Sequence, residues 1–205
     1  LELGVNLIDT APAYGEAEAR LGKWVAAHRG EIVLVTKCGE RHEGGVSAWD
    51  FSVKGLAASV EGSLRRLKTD HVDVVLLHSD GRDEERLDEA AEVLCKMKTS
   101  GKARAIGISA KTEEGVRRGA EQSDVVMAPF STSDPALGPA LEAAHRAGAG
   151  ILGIKAAAQG RAADPAAAIA FAASRPFIDC VVVGTLNPAH LEAAVRSVEK
   201  AGLPK

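Results

Sequence analysis

Leu7-Ile8-Asp9-Thr10-Ala11-Pro12-Ala13-Tyr14-Gly15 is the stretch from which the rest of the chain is read. Residues 5–8 read as a buried strand that ends in an acid, Pro12 and Gly15 punctuate a turn, and Glu16 opens a helix-periodic segment. The unit is strand, turn, helix. An aspartate at the end of an apolar strand must find a partner, because a buried unpaired carboxylate is costly. Tyr14, in the loop beyond it, can aim its hydroxyl at a ligand. Taken alone, the pair is more simply read as a capping acid and a loop tyrosine; the rest of the chain changes that reading.

The same unit recurs along the chain. Residues 16–28 place Leu21, Trp24, Val25 and His28 at helical spacing, and Gly30 stops them. Ile32-Val33-Leu34-Val35 is a second apolar strand ending in Thr36-Lys37, followed by a polar loop over 38–50 containing Gly44-Gly45 and Trp49. Val53, Leu56, Val60, Leu64 and Leu67 stripe the next helix, and the strand at 72–77 ends in His78. Leu87, Ala90, Leu94 and Met97 mark a helix that Gly101 closes, and the strand at 103–108 ends in Ser109. Thr112 caps the helix that follows. Val125-Val126 runs to Met127 and Pro129, then a helix over about 138–147 leads to Ile151-Leu152-Gly153-Ile154 and Lys155. Asp164-Pro165 and Asn187-Pro188 each read as an N-cap with proline at the first helical position. Between them, Cys180-Val181-Val182-Val183 runs into Gly184-Thr185.

Apolar strands alternating with amphipathic helices predict a parallel sheet covered on both faces. No linker or composition shift divides the chain, so residues 1–205 are expected to form one β/α barrel domain. A complete barrel of this kind has eight strands, and the pattern supplies seven, with residues 1–4 reading as the end of an earlier helix. Either a first β/α unit is missing from this chain, or the barrel closes in another way.

Composition narrows the function. A net charge of -3 with no basic run supplies no nucleic-acid footprint and no polybasic membrane patch. No apolar stretch reaches the roughly 20 residues of a membrane span, and the first residues lack a secretory pattern. Cys38, Cys95 and Cys180 are scattered, which fits neither a disulfide framework nor a metal site and suits a reducing cytoplasm.

In a β/α barrel the chemistry collects at the C-terminal ends of the strands. Those ends carry Asp9, Lys37, His78, Ser109, Met127, Lys155 and Gly184-Thr185. An acid, two lysines and a histidine around one mouth are costly to a core, and surface salt bridges do not predict such a ring. A tyrosine hydroxyl titrates near ~10 when unperturbed; a neighbouring ammonium stabilises its phenolate, and a carboxylate keeps that ammonium charged and in place. A neutral imidazole donating to the same point polarises a carbonyl. Asp9, Lys37, Tyr14 and His78 fill these roles for protonating a carbonyl oxygen while a cofactor delivers hydride.

The chain resembles the aldo-keto reductase family through Asp9-Thr10-Ala11-Pro12-Ala13-Tyr14-Gly15, Thr36-Lys37, Asp73-Val74-Val75-Leu76-Leu77-His78, Gly101 to Ser109, and Gly184-Thr185 with Leu191. The resemblance implies an eight-stranded barrel whose first strand and helix are absent here. It implies Tyr14 as general acid, Lys37 and Asp9 as its tuning pair, and His78 as the substrate-orienting residue. The implied cofactor is NADP(H), or NAD(H), bound without a Rossmann glycine motif. Positions matching the family's cofactor contacts are Ser109, Met127, Ile154, Lys155, Gly184, Thr185 and His190, several of them departures from the usual residue. Lys155 reads equally as a phosphate or carboxamide contact and as a solvated strand end, and His190 as a phosphate contact or a surface histidine. The resulting expectation is a cytoplasmic NAD(P)H-dependent reductase of a small aldehyde or ketone, without nucleic-acid or membrane partners and with its oligomeric state undetermined. The alternatives are a catalytically weak cofactor-binding or regulatory barrel of the same family, and an unrelated barrel using Lys37 or Lys155 as a Schiff-base lysine.

Overall fold

A computed structural model describes residues 1–202. Seven parallel strands form one curled sheet, in the order β1 (Leu7–Asp9), β2 (Val33–Cys38), β5 (Val72–His78), β6 (Ala103–Ser109), β7 (Val125–Pro129), β8 (Gly150–Ile154) and β9 (Cys180–Val181). A separate two-stranded hairpin, β3 (Glu40–Glu43) with β4 (Val46–Trp49), lies between β2 and the next helix. The covering helices are α1 (Ala17–His28), α2 (Val53–Leu67), α3 (Asp83–Thr99), α4 (Glu113–Gln122), α5 (Gly138–Arg146), α6 (Pro165–Ala173) and α7 (Pro188–Lys200). Each parallel neighbour is reached through a helix, as parallel pairing requires.

Alternation along the strands explains why both faces are apolar. Leu34, Val75, Leu77, Ile108, Val126 and Ile151 face the helices, where they join Val25, Leu56, Val60, Leu87 and Val116 in the larger core. Val35, Val74, Leu76, Met127 and Leu152 form a second, inner cluster on the concave face. Strands buried on both sides must be almost wholly apolar, and only their last residues escape that demand. Polar chemistry is therefore confined to strand ends.

Helix starts follow the capping signals. Ser52 Oγ accepts from Gly55 N, Thr112 Oγ1 from Gly115 N, Asp164 Oδ1 from Ala167 N and Asn187 Oδ1 from Ala189 N. These bonds satisfy N–H groups that the first helical turn leaves without partners.

Three sequence expectations change. The polar loop over 38–50 contains the β3–β4 hairpin, with Gly44 and Gly45 at φ 58° and 85° in its two-residue turn. Glycine adopts those angles without a Cβ penalty, and a turn with both central residues at positive φ matches the twist of paired strands. Helix α1 is rotated from the expected face: it buries Glu18, Gly22 and Val25. A Cβ on Gly22 would lie 2.2 Å from Arg66 O, so the absent side chain lets α1 and α2 approach. Val53, expected on the buried stripe of α2, is exposed.

The sheet holds seven strands, with β1 and β9 at its edges. Strand β9 pairs with β8 over only two residues, Cys180 with Leu152 and Val181 with Gly153, and is shorter than the apolar run through Val183 suggests. Among the described residues no helix is long and apolar enough to cross a membrane.

Candidate active site

Strand register assembles the site. Asp9 pairs with Val35, Lys37 with Leu76, and His78 with Ser109. Side chains two residues apart share a face, so Asp9, Lys37 and His78 project on the concave side, at the rim of the inner cluster that Val35 and Leu76 help to build. Lys37 is 1% exposed, and its stem is enclosed by the same packing.

Lys37 Nζ donates to Asp9 Oδ1 at 2.6 Å, to Asp9 Oδ2 at 2.8 Å and to Thr10 O at 3.1 Å. All three ammonium hydrogens are thereby engaged, which a buried lysine requires. Burial raises the Asp9 carboxyl above the usual range, and Lys37 opposes that rise through its charge and hydrogen bonds. Tyr14 sits over this pair, with the ammonium 4.8 Å from its ring centroid, and its side of the site is open to solvent. The Tyr14 and His78 rings meet edge to face at 6.2 Å. Asp9, Lys37, Tyr14 and His78, drawn from three strand ends and one loop, thus occupy a single cluster.

The hairpin contributes what the sequence reading missed. Glu40 Oε2 lies 2.9 Å from His78 Nδ1, with both side chains largely buried. The contact is an ion-pair distance and not a hydrogen bond, and among the described residues Nδ1 has no hydrogen-bond partner. Ser47 Oγ donates to the other Glu40 oxygen at 2.6 Å. Trp49, paired across the hairpin with Glu40, packs its ring against His78 at 6.1 Å and stacks on Phe51. Lys111 extends its ammonium over the outer face of Trp49. Burial, chiefly, pushes the His78 imidazole down to about 4; Lys37 and Lys111 act in the same direction and Glu40 against it. His78 is neutral at physiological pH. A glutamate in a charged, glycine-bearing segment reads as a solvated loop residue, and only the pairing of β3 with β4 carries it inward.

The expected cofactor contacts lie around the same rim. Ser109 is buried at the end of β6, beside His78 in register. Met127 is 1% exposed within the inner cluster, so its contribution there is packing. Ile154 is half-buried at the end of β8, and Lys155 follows it, exposed and at φ 59°. Gly184, Thr185 and His190 are exposed on the segment between β9 and α7 and its first turn. No atom lies within 4 Å of where a Cβ on Gly184 would stand. An open backbone, a hydroxyl and a cation at one rim suit phosphate groups, so the residues present fit a dinucleotide. Both residues take part in backbone hydrogen bonds, Lys155 O accepting from Ala158 N and His190 N donating to Asn187 O.

A buried lysine–carboxylate pair beneath a tyrosine, at the C-terminal end of a parallel β/α sheet, is an arrangement suited to proton transfer. Comparison with known proteins gives the family. The family model described as "Aldo/keto reductase family" matches residues 1–133, and the chain belongs to that family. An uncharacterised oxidoreductase of Bacillus subtilis, YqkF, is 36% identical over 140 residues, covering 65% of this chain and 45% of that protein. L-galactose dehydrogenase of Arabidopsis thaliana is 38% identical over 114 residues, covering 52% of this chain and 34% of that enzyme. The matches thus span less than half the length of these two relatives. A solved structure of a putative aldo-keto reductase from Pseudomonas aeruginosa superposes with a TM-score of 0.92 at 40% identity, covering 98% of this chain and 79% of that one. Both of these sequence relatives are named as oxidoreductases or dehydrogenases.

Proposed function

We propose that this chain carries the active site of a nicotinamide-dependent reductase that converts an aldehyde or ketone to an alcohol. The observation that carries the reading is the buried Lys37–Asp9 pair with its charge against the Tyr14 ring. Lys37 favours negative charge on the phenolic oxygen as its proton leaves, and Asp9 holds Lys37 in place. Tyr14 gives its proton to the carbonyl oxygen and recovers one from solvent, to which it is half open. His78, facing Tyr14, orients the substrate.

The cofactor supplies the hydride that no side chain can. Lys155, Gly184, Thr185 and His190 would hold its phosphates, with Ser109 at the nicotinamide end. NADP(H) is favoured over NAD(H) by the Lys155 ammonium and the His190 ring on these two strand-end segments. The unpaired cysteines fit a reducing cytoplasm.

Titration with NADPH and, separately, NADH, followed by nicotinamide fluorescence, tests the reading. Saturable binding with NADPH preferred is expected, and Tyr14→Phe should abolish turnover of a carbonyl panel while sparing that binding. A folded protein that binds neither dinucleotide would overturn the reductase reading and leave a scaffold of the same family.

A further inference from the structure

Asp83, at the start of α3, is a buried carboxylate that forms no ion pair among the described residues. Its Oδ2 accepts from Lys111 N at 2.7 Å, from Thr112 N at 2.9 Å and from Thr112 Oγ1 at 2.9 Å, and its Oδ1 from the buried Ser79 hydroxyl. Gly115 leaves room for it, since a Cβ there would stand 2.2 Å from Asp83 Oδ2. A buried charge is tolerated where hydrogen bonds satisfy it. Here those bonds tie Ser79, next to His78, to the segment that leaves Ser109.

The bracket fixes the backbone of Lys111 and leaves its side chain exposed. The ammonium forms no ion pair among the described residues and stands 5.5 Å from the Trp49 ring centroid. The same indole meets His78 at 6.1 Å, and His78 meets Tyr14 at 6.2 Å. Successive contacts thus lead from Tyr14 through His78 and Trp49 to the ammonium. Its charge reaches His78, where it acts with Lys37 against a second ring proton. Glu40 opposes both, with Oε2 2.9 Å from Nδ1, while Asp9 is engaged by Lys37. An anion is therefore disfavoured against His78 itself and favoured beside Trp49.

We infer that Lys111, held in place by Asp83 as a positioning residue, anchors an anion subsite at the edge of the mouth, and that the site takes an aldehyde bearing a carboxylate several bonds from its carbonyl. The inference deepens the reductase reading, on which its carbonyl half rests. A carboxylate fits better than a phosphate. The N–H groups of Lys111, Thr112 and Gly115 at the start of α4 are taken by Asp83 and Thr112 Oγ1, which leaves one ammonium as donor. A phosphate dianion asks for several donors at once, whereas a carboxylate is matched by a single point charge. The Trp49 ring offers apolar surface to the carbons that join the two polar ends.

The test is calorimetric titration with two isosteric alcohols, 4-(hydroxymethyl)benzoate and 4-(hydroxymethyl)benzamide, in the presence of NADPH. The acid should bind about fivefold more tightly than the amide, and the difference should shrink as salt is raised. Lys111→Gln should abolish the preference and Lys111→Arg should keep it. Asp83→Asn should narrow the ratio of acid to amide, a selectivity that general loosening of the mouth would leave alone; a wild-type ratio in that variant would remove Asp83 from the account. No binding of the acid, equal affinity for acid and amide, or a preference that survives Lys111→Gln would overturn the inference. With NADPH as reductant, kcat/KM for 4-formylbenzoate should exceed that for 4-formylbenzamide by a similar factor, and equal values would remove the substrate assignment. Turnover of neither aldehyde, with the expected binding preference, would count against the reductase reading while the anion subsite stands.

Discussion

Thr36 Oγ1 donates to Glu18 Oε1 at 2.6 Å, one residue before Lys37 and on the opposite face of β2. Glu18 is fully buried on α1, and its other oxygen accepts from Arg66 Nε at 2.8 Å on α2. One carboxylate thereby ties the strand that bears the site lysine to both of the helices packed behind it. Thr36 points outward to this anchor while Lys37 points inward to Asp9.

Removing that anchor should cost much of the fold's stability. Glu18→Ala leaves the buried Thr36 hydroxyl and the part-exposed Arg66 guanidinium without their acceptor, and losing hydrogen bonds of this kind typically costs about 1–3 kcal/mol. Urea unfolding should show a loss of that size. A loss below about 1 kcal/mol would mean that the Glu18–Arg66 pair is solvated and not structural.

The Lys37–Asp9 pair should behave as a coupled unit. Lys37→Met leaves the Asp9 carboxylate buried without its cation, and Asp9→Asn leaves the ammonium without its counter-charge, so each single change should destabilise by several kcal/mol. The double variant should recover part of that loss, with a coupling of about 1–3 kcal/mol in a double-mutant cycle of unfolding free energies. Strictly additive losses would contradict the geometry.

Stability should fall on acidification through His78. Burial holds its folded value near 4, below the ordinary histidine value of 6.5. Between those limits the unfolded chain binds a proton that the folded chain refuses, so unfolding is favoured as pH drops from about 6.5 towards 4. His78→Gln should flatten this part of the curve. Urea midpoints at pH 7, 5.5 and 4.5 for both proteins measure it, and parallel curves would show that other groups govern acid sensitivity.

Thiol chemistry should separate the cysteines. Cys38 is wholly buried in the larger core, and burial pushes its thiol up to about 12. Despite standing next to Lys37 it faces the helices, and it should resist a disulfide reagent in the native protein while exposed Cys95 reacts at once. Rapid native labelling of Cys38 would show that the outer core opens locally.

Much of this arrangement was legible in the one-dimensional pattern. Two-sided burial makes the strands uniformly apolar, so Lys37 and His78 stand out at their ends by charge alone. The caps at Thr112, Asp164 and Asn187 are local chemistry and were read from local residues. Glu18 was not legible, because an acid on a helix reads as solvated unless the partners it meets, here Thr36 and Arg66, are known. Glu40 was lost for a related reason: its hairpin is rich in charge and exposed over most of its length, and lacks the apolar alternation that marks a half-buried strand.

By itself, then, the order of residues determined the alternating β/α architecture and the places where polar groups end its strands, since hydrophobic periodicity and capping act over a few neighbouring residues. The tertiary structure decided which of those groups meet and in what state of protonation. Lys37 finds Asp9 28 residues away, and His78 meets a carboxylate from a hairpin rather than from the sheet. Such pairings depend on strand register and on burial, which strengthens charge interactions by excluding water, and neither is a property of any local segment.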